Sequence, residues 1–332
     1  MCTMELYCCG QDCIKRFDDD VSVLRALDSC SECKVVFINK NTPLFGEVAL
    51  DPIDEDWYRC GSCGKRPLDA VAAHVLKIFM EEGISDKKAR LKTVLPLPTP
   101  LYNSQMAIHL GEKSLVILDP RVTVDIAVRV ISEVPEVKAV LKGHPDETVG
   151  VLDTDSRVHN YDVLAGCPIR CDIVQTPLCD IFVNKDQSCN YIEFPPSLEN
   201  KLMILHSYFE NKEYGVAPEK YRVLDATCGV GTLGIFSLIY GFKEVVFNDI
   251  YKPSTLTTAM NLEANGFPVE LVGDNDMVAE GDNCSVYNLP IEMLVNRFSD
   301  KFDLCIIDCF PGVDSDKFRK IASLLARDVL VI

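Results

Sequence analysis

Four cysteines form two pairs whose spacing suits a metal ion. Two residues separate Cys30 from Cys33, and two separate Cys60 from Cys63. Each pair presents two thiolates from one tight turn, and the two turns together complete a tetrahedral set of four sulfur ligands. Because this set leaves no open position for a substrate, it predicts a structural zinc ion. An iron–sulfur site and free thiols are the alternatives.

Carboxylates and glycines form a second group between residues 221 and 250. A predicted buried strand ends at Asp225, a turn carries Gly229 and Gly231, and a second predicted strand ends at Asp249. Glycines let a ligand approach the backbone closely. A carboxylate after the second strand can accept hydrogen bonds from two ribose hydroxyls. The stretch predicts a nucleotide-binding βαβ unit, although the glycine spacing of a nicotinamide-binding unit is similar.

A further group of cysteines stands near the start of the sequence. It consists of Cys2, Cys8, Cys9 and Cys13. Their spacing matches no defined metal site, so they are either ligands of a second metal or cluster, or free thiols. No signal peptide opens the sequence, and we therefore expect a cytosolic, reduced protein in which paired cysteines bind metal.

Alternating strands and helices surround the nucleotide-binding unit. A helix is predicted over residues 198–210, and five strands are predicted to end at residues 225, 249, 274, 307 and 332. The third of these strands is predicted at Val269–Val272, leading to Asp274. Such alternation implies a parallel, doubly wound α/β sheet with ligands at its carboxyl edge.

Two parts precede this sheet. Residues 1–66 hold the two cysteine pairs, with a strand-like segment at Val35–Ile38. Residues 67–196 combine predicted helices at 67–82 and 122–134 with short predicted strands at 114–118, 137–141, 171–174, 180–183 and 191–194. The sequence therefore predicts a zinc ribbon over 1–66, an α+β domain over 67–196, and an α/β domain with a shortened parallel sheet over 197–332.

The charge of the chain bears on its partners. The 332 residues are 48% hydrophobic, enough for a full core, and the formal net charge is −17. This acidity disfavours nucleic acid, because phosphate binding needs clustered lysine and arginine; solubility or a saline cytoplasm is another reason for it. Asp86–Lys92 is locally basic, either as a solvated face or as a nucleic-acid patch. No apolar run reaches transmembrane length, so no membrane partner is expected.

The motifs around the βαβ unit resemble one family of enzymes. The turn reads DATCGVG, NLEANG follows the second predicted strand, GD follows the third, and an acid–aromatic–proline loop follows the fourth. This set resembles the class I S-adenosylmethionine-dependent methyltransferases, whose domain is Rossmann-like, and in particular their RNA-methylating branch. The resemblance implies that Asp225, Gly229 and Gly231 line the methionine moiety, that Asp249 binds ribose, and that Asp274 contacts adenine.

Upstream segments extend the resemblance to roughly residues 90–312. Residues 134–141, 157–166 and 191–199 resemble, in that order, the archaeal and eukaryotic tRNA guanine-N1-methyltransferases and the related wybutosine-synthesis transferases. In that family an arginine stabilises charge on guanine O6 and a glutamate takes the N1 proton, as this chemistry requires. The resemblance puts Arg157 and Glu199 in these roles. The alternatives are a surface arginine and a helix-start glutamate favoured by the helix dipole.

Two features differ from that family. Its substrate loop reads Asn-Pro-Pro, whereas this sequence reads Asp308-Cys309-Phe310-Pro311, which leaves the substrate open. Its sheet has a sixth and a seventh strand, whereas here the fifth predicted strand is the last. The exposed sheet edge would be covered by a second copy of the chain in a homo-oligomer or by the N-terminal part.

The sequence as a whole predicts an S-adenosylmethionine-dependent methyltransferase with a structural zinc ion. Its expected substrate is a tRNA base of the guanine-N1 type, with Glu199, Arg157 and Asp308 as catalytic residues. One alternative is methyl transfer to a protein or a small molecule, which the acidic surface and the altered loop favour. The other is a non-catalytic binding protein that keeps the cofactor fold.

Overall fold

The fold is that of a computed structural model, which describes residues 13–20, 22–103, 107–146, 149, 159–273, 276–309 and 315–332. The chain forms two compact units. Residues up to 14, 19–172 and 186–192 belong to the first unit, and residues 15–18, 173–185 and 193–332 belong to the second. The cysteine pairs and most of the predicted α+β domain fall in the first unit, and the division into three domains stays a prediction.

The first unit contains three α-helices and seven strands among its described residues. They are β1 (Arg66–Pro67), β2 (Leu95–Pro98), β3 (Leu101–Tyr102), β4 (His109–Leu110), β5 (Leu115–Leu118), β6 (Val137–Lys142), β7 (Asp162–Gly166), α1 (Leu44–Glu47), α2 (Leu68–Glu81) and α3 (Val124–Glu133). Strands β2, β5, β6 and β7 form a mixed sheet in that order, with β5 and β6 parallel. The apolar faces of α2 and α3 share one core with β5 and β6.

The predicted helices of this unit are confirmed within two residues at each end. The predicted strand at Val35–Ile38 is wrong, because this segment has no regular secondary structure and pairs with no described strand. Only Ile38 is buried there, whereas Val35 and Phe37 are exposed. The predicted strand at 191–194 is also wrong, since these residues lead directly into a helix.

The remaining elements include the parallel sheet. They are β8 (Ile169–Val174), β9 (Ile181–Asp186), α4 (Pro195–Glu210), β10 (Arg222–Asp225), α5 (Thr232–Tyr240), β11 (Glu244–Asn248), α6 (Lys252–Ala264), β12 (Glu270–Leu271), β13 (Met277–Glu280), β14 (Cys284–Tyr287), α7 (Ile291–Arg297), β15 (Phe302–Ile307), α8 (Ser315–Leu325) and β16 (Ala326–Val331). Strands β8 and β9 contain points at which the chain passes from one unit to the other. No helix of the described residues is both long and apolar enough to cross a membrane.

The sheet of the second unit has seven strands in the order β12-β13-β14-β11-β10-β15-β16. Strands β14, β11, β10, β15 and β16 are parallel to their neighbours in that order, whereas β13 runs antiparallel to both β12 and β14. The chain runs outward from β10 in both directions, so a crevice for a ligand opens at the carboxyl ends beside β10. The predicted α/β, Rossmann-like architecture is confirmed.

The third parallel strand is not the predicted one. The segment Val269–Val272 supplies only β12, whose two residues are exposed and pair antiparallel with β13. The third parallel strand is β14, which pairs with β11 and is largely buried. Its residues, Cys-Ser-Val-Tyr, carry one aliphatic side chain, so hydrophobicity alone favours the wrong segment. The residue that follows the third parallel strand is therefore Asn288.

Two asparagines of the NLEANG motif attach α6 to β9. The side chain of Asn261 accepts from the backbone N–H of Asn184 (2.8 Å) and donates to its carbonyl (3.0 Å). The side chain of Asn265 makes the same pair of bonds with Phe182, at 2.9 and 2.8 Å. Four residues of helix and two of strand both span roughly 6–7 Å, so the spacing of the motif matches alternate residues of β9.

Candidate active site and metal centre

Asp225 ends β10 as a buried carboxyl group with one unsatisfied oxygen. Its Oδ2 accepts from the backbone N–H of Gly234 in α5, at 2.9 Å. Its Oδ1 is buried and has no hydrogen-bond partner among the described residues. Burial raises the pKa of Asp225 to about 8, and the charges of Asp308 and Asp249 act in the same direction. A cationic hydrogen-bond donor would satisfy this oxygen and stabilise its charge.

Asp249 follows β11 and is held by the backbone. Its Oδ2 accepts from the N–H of Gly229 (2.9 Å), and its Oδ1 accepts from the N–H of Tyr251 (2.8 Å). Burial raises the pKa of Asp249, and these N–H groups oppose that rise. Each oxygen keeps further acceptor capacity, so the carboxylate can still bind a pair of hydroxyls.

The turn between β10 and α5 contains both predicted glycines in left-handed backbone conformations. A Cβ on Gly231, at φ 90°, would lie 2.8 Å from Cγ2 of Thr258, whereas a Cβ on Gly229, at φ 54°, would meet no atom within 4 Å. Thr258 Oγ1 donates to the Gly229 carbonyl at 2.9 Å. Gly231 is thus required by packing, and Gly229 leaves open space beside the backbone for a ligand.

Asp308 follows β15 and belongs to a cluster of charges. Its Oδ2 lies 2.6 Å from Nζ of Lys201, which also lies 3.0 Å from Oε1 of Glu193. Burial raises the pKa of Asp308 and the Lys201 ammonium opposes the rise. Burial alone would lower the pKa of Lys201, but its two carboxylate partners raise it. Lys201 therefore stays protonated between two carboxylates.

The turn after β10 and the loop after β15 are joined at Thr227. The backbone N–H of Asp308 donates to Thr227 Oγ1 at 2.8 Å, and that hydroxyl donates to the Asp308 carbonyl at 3.1 Å. These two bonds fix the position of Asp308 relative to the end of β10, so Asp225, Asp249 and Asp308 lie at one edge of the sheet.

Helix α4 separates Glu199 from Lys201. Its buried residues are Leu198, Leu202, Leu205, Phe209 and Pro195. Successive helical residues turn by about 100°, so positions 199 and 201 lie about 160° apart on opposite flanks of this stripe. Lys201 contacts Asp308, whereas Oε1 of Glu199 accepts from the backbone N–H of Gln175 at 3.4 Å.

Sequence reasoning therefore missed two residues of the cluster, Glu193 and Lys201. The position of Lys201 beside the apolar stripe was the available signal, because a lysine there lies close to whatever the helix packs against. The assignment of Glu199 as a general base stays a prediction. Arg157, Asp274 and Phe310–Pro311 lie outside the described residues.

Asn288 takes the place after the third parallel strand. Its side-chain amide donates to the carbonyls of Asp249 and Ile250, both at 2.9 Å. These bonds connect the end of β14 to the end of β11 beside the Asp249 carboxylate. Sequence reasoning missed Asn288 because it placed the third strand too early in the chain.

The charges at this sheet edge limit the ligands that fit. Asp225, Asp249 and Asp308 are three neighbouring carboxyl groups, and Lys201 is already paired with Asp308 and Glu193. The pyrophosphate of a dinucleotide would be repelled there, whereas a ligand with positive charge would be attracted. The arrangement therefore favours a cationic nucleoside.

The four cysteines of the two CxxC pairs come together in the first unit. Their Sγ atoms all lie within 4.8 Å of one another, and the hydrogen-bonded pairs lie 3.5 to 3.7 Å apart. Four thiolates around zinc at about 2.3 Å would be separated by about 3.8 Å, so the geometry fits a tetrahedral ion. Backbone N–H groups of Cys63 and Ser62 lower the pKa of Cys60 to about 6, which favours the thiolate.

Cys13 is the one described member of the N-terminal cysteine group. It is buried and disulfide-bonded, so the prediction of a metal ligand or a free thiol is wrong for Cys13, and its Sγ also lies 3.5 Å from Sγ of Cys167. Within the described parts of the chain, the CxxC pairs form the only set of three or more potential metal ligands. Cys2, Cys8 and Cys9 lie outside the described residues.

Known proteins match the chain only partly. A segment of 108 residues is 30% identical to ribosomal RNA large subunit methyltransferase I of Photobacterium profundum. It covers 30% of this chain and 24% of the relative, so the chain spans about a quarter of that protein's length. No family model matches the sequence.

Two solved structures are similar to parts of the chain, each with a TM-score below 0.5. TYW2 of P. horikoshii, in complex with MeSAdo, is 17% identical, with 77% of this chain and 76% of that chain covered and a TM-score of 0.43. Trm5b from Pyrococcus abyssi is 16% identical, with 64% and 54% covered and a TM-score of 0.39.

Proposed function

We propose that the second unit binds S-adenosylmethionine and is the catalytic part of a methyltransferase. The observation that carries this proposal is the group of three carboxyl groups, with the unsatisfied Oδ1 of Asp225 among them. The cofactor is a nucleoside with a sulfonium and an ammonium group, and it supplies an electrophilic methyl group. Asp225 would accept from the ammonium, Asp249 would bind the ribose hydroxyls, and the open side of Gly229 would admit the methionine moiety.

The adenine of the cofactor has two candidate partners. Family resemblance assigns this contact to Asp274, whereas the observed strand order favours Asn288, which follows the third parallel strand beside Asp249. We propose Asn288 as an adenine-side residue that positions the Asp249 loop. Asp274 keeps its proposed role until both are substituted and the affinities for the cofactor compared.

The proposed substrate is an RNA base, and the finer proposal is guanine N1 in tRNA. The partial match to a ribosomal RNA methyltransferase supports RNA, and a neighbouring structure is described as a complex of aTrm5 and tRNALeu. Glu199 would take the N1 proton, and Arg157 would stabilise the charge that develops on O6. Lys201 would keep Asp308 ionised and oriented at the reacting end of the site.

A protein or small-molecule substrate is the second candidate. The net charge of −17 favours it, and so does an aspartate at position 308, where the RNA enzymes that the sequence resembles carry asparagine. An ionised Asp308 would accept hydrogen bonds from an amine nucleophile as well as from a base.

The four-cysteine group is proposed to hold one structural zinc ion. All four ligand positions would be filled by thiolates, so the ion would stabilise the fold and take no part in the reaction.

Two experiments test the proposed methyltransferase activity: calorimetry with S-adenosylmethionine, and incubation with the methyl-labelled cofactor. We expect binding to the wild type, loss of binding in Asp249→Ala, and label in the RNA fraction of a mixture of total tRNA and protein. If the wild type does not bind S-adenosylmethionine, the proposed methyltransferase activity is refuted. If label appears only in protein, the proposal of an RNA substrate is refuted.

A further inference from the structure

A basic surface lies in the first unit of this acidic chain. We define the ribbon patch as residues 33–45 and 85–93, which include one acidic residue, Asp86. Its six basic residues are Lys34, Lys40, Lys87, Lys88, Arg90 and Lys92. Basic residues therefore outnumber acidic ones in the patch, although the chain carries a net charge of −17 and the carboxylates of Asp69 and Glu47 contact the patch at Lys40 and Thr42.

The fold brings the two segments of the ribbon patch together. An antiparallel bridge pairs Pro43 with Arg90, and Nζ of Lys92 donates to Oδ1 of Asn41 at 3.2 Å. These contacts place residues 41–43 beside residues 90–92, so the two segments of the ribbon patch meet although they are distant in the sequence.

Most charges of the ribbon patch are not neutralised by neighbouring carboxylates. Lys87, Lys88 and Arg90 are exposed and take part in no ion pair among the described residues. Lys40 pairs with Asp69 at 3.3 Å. The carboxylate of Asp86 accepts from the backbone N–H of Lys88 at 2.8 Å, so it caps a turn within the patch.

The ribbon patch also contains two phenylalanines with exposed side chains. The side chain of Phe37 is 87% exposed and that of Phe45 is 54% exposed. Phe45 follows Leu44, whose backbone N–H donates to the Ala89 carbonyl at 3.0 Å, inside the basic segment. Exposed aromatic rings among cations are the elements from which single-stranded nucleic-acid sites are built, because bases stack on the rings and phosphates contact the cations.

We infer that the ribbon patch is the docking surface for unpaired nucleotides of an RNA substrate. This inference rests on the proposed RNA methyltransferase activity and specifies which part of the chain holds the RNA. It also explains how a chain with this net charge can bind a polyanion, because affinity depends on the local density of cations. An acidic peptide would use the lysines but would leave the exposed phenylalanine rings without partners.

Fluorescence anisotropy with a labelled tRNA transcript tests whether the basic side chains of the ribbon patch contribute to RNA binding. Lys87→Glu/Lys88→Glu is expected to weaken binding at least tenfold at 0.1 M KCl and to reduce the slope of log Kd against log salt by about 1.5, as for two lost phosphate contacts. The matched control is Arg319→Glu/Lys320→Glu, which changes the same charge on exposed residues of α8. An equal loss in both variants, or in neither, overturns the inference.

A separate pair of variants tests whether the exposed aromatic rings of the ribbon patch contribute to RNA binding. Phe37→Ala is expected to weaken RNA binding about tenfold, because one base loses the ring on which it stacks. Val216→Ala, at an equally exposed apolar residue in the second unit, is expected to leave it unchanged. Unchanged binding in Phe37→Ala, or polyglutamate competing as well as RNA at equal charge, would refute an RNA surface.

Kinetics separate this inference from the proposed function. If both hold, Lys87→Glu/Lys88→Glu raises KM for RNA while the Kd for S-adenosylmethionine stays the same. RNA methylation with an unchanged KM in the variant would refute the ribbon patch alone. RNA binding through the patch without methyl transfer to RNA would refute the proposed function alone.

Discussion

At the scale of single residues, the buried Asp225 determines how the proposed cofactor site responds to pH. Its pKa of about 8 means that most of this carboxyl is protonated at pH 7 in the ligand-free chain. A bound ammonium group would favour the carboxylate and release that proton. We expect the affinity for S-adenosylmethionine to rise about tenfold from pH 6 to pH 7 and to level off above pH 8.

Calorimetry in buffers of different ionisation enthalpy measures the proton released on binding. Asp225→Asn should abolish the release and most of the binding. Because a carboxyl with a raised pKa binds a proton more tightly when folded, it makes stability fall between about pH 4 and pH 8. The variant should therefore have the higher melting temperature at pH 8 without ligand. A pH-independent affinity in the wild type would contradict the role of Asp225.

Substitutions of Lys201 and Glu199 are expected to change the kinetics of the reaction in different ways. Lys201→Met should raise the pKa of Asp308, because it removes the ammonium that opposes burial. The acidic limb of the pH–rate profile should then move to higher pH, with the Kd for the cofactor retained only at alkaline pH, because Lys201 also lowers the pKa of Asp225. Lys220→Met, at an exposed lysine of the same unit, is the control, and an unshifted profile would show that Lys201 only supports the fold.

Glu199→Gln tests the residue that the family resemblance selects. If Glu199 is the general base, turnover should fall by about 10²-fold or more with cofactor affinity kept. Full turnover in this variant, together with a shifted profile in Lys201→Met, would assign the reacting end of the site to Lys201 and Asp308.

At the scale of elements, the attachment of α6 to β9 depends on two amide side chains. Asn265→Ala would leave the buried N–H and C=O of Phe182 without their partner. We expect the free energy of unfolding to fall by about 2–4 kcal/mol. Chemical denaturation measures it, and Asn200→Ala, at an exposed residue of α4, should change it by less than about 0.5 kcal/mol. Equal stabilities would show that water replaces these bonds.

The elements also show how far the sequence alone predicts this fold. Strands such as β11 and β15 consist mostly of buried apolar residues, and the predictions for them hold within one residue. The prediction of the third parallel strand was wrong. It selected the segment that contains Glu270–Leu271, which is exposed, whereas the buried strand β14 contains cysteine, serine and tyrosine. Local hydrophobicity does not encode which segment pairs with β11.

The candidate site likewise contains residues whose positions the local sequence predicts and residues whose contacts depend on tertiary packing. The positions of Asp225, Gly229 and Asp249 in the fold were predictable, because they lie at the end of β10, in the turn before α5 and directly after β11 of one βαβ unit, whereas their roles stay predictions. The contact of Lys201 with Asp308 joins residues 107 positions apart, and only the packing of α4 determines it. Side chains that meet through tertiary packing therefore account for what the sequence analysis missed.

At the scale of the whole molecule, the two units separate the proposed metal centre from the proposed cofactor site. Chelation should release about one zinc ion per chain and destabilise the first unit, because thiolate coordination contributes directly to folding. The affinity for S-adenosylmethionine should persist, since its proposed residues lie in the second unit.

Metal release is measured with a chromogenic chelator, and cofactor binding by calorimetry on the same sample. Cys30→Ser should lose the zinc, and Cys179→Ser, at an exposed cysteine outside the ribbon, should retain it. Iron in place of zinc, or loss of cofactor binding with the metal, would contradict this division of roles.

The three carboxyl groups at the edge of the sheet have a consequence for the order of events in a catalytic cycle. Under the proposed reaction, the donor arrives with a sulfonium charge and leaves without it, because the methyl group carries that charge away. The attraction from Asp225, Asp249 and Asp308 is therefore stronger before transfer than after it. The same side chains that recruit the donor would therefore hold the spent nucleoside less tightly, because only its ammonium charge remains, and methyl transfer itself would favour product release.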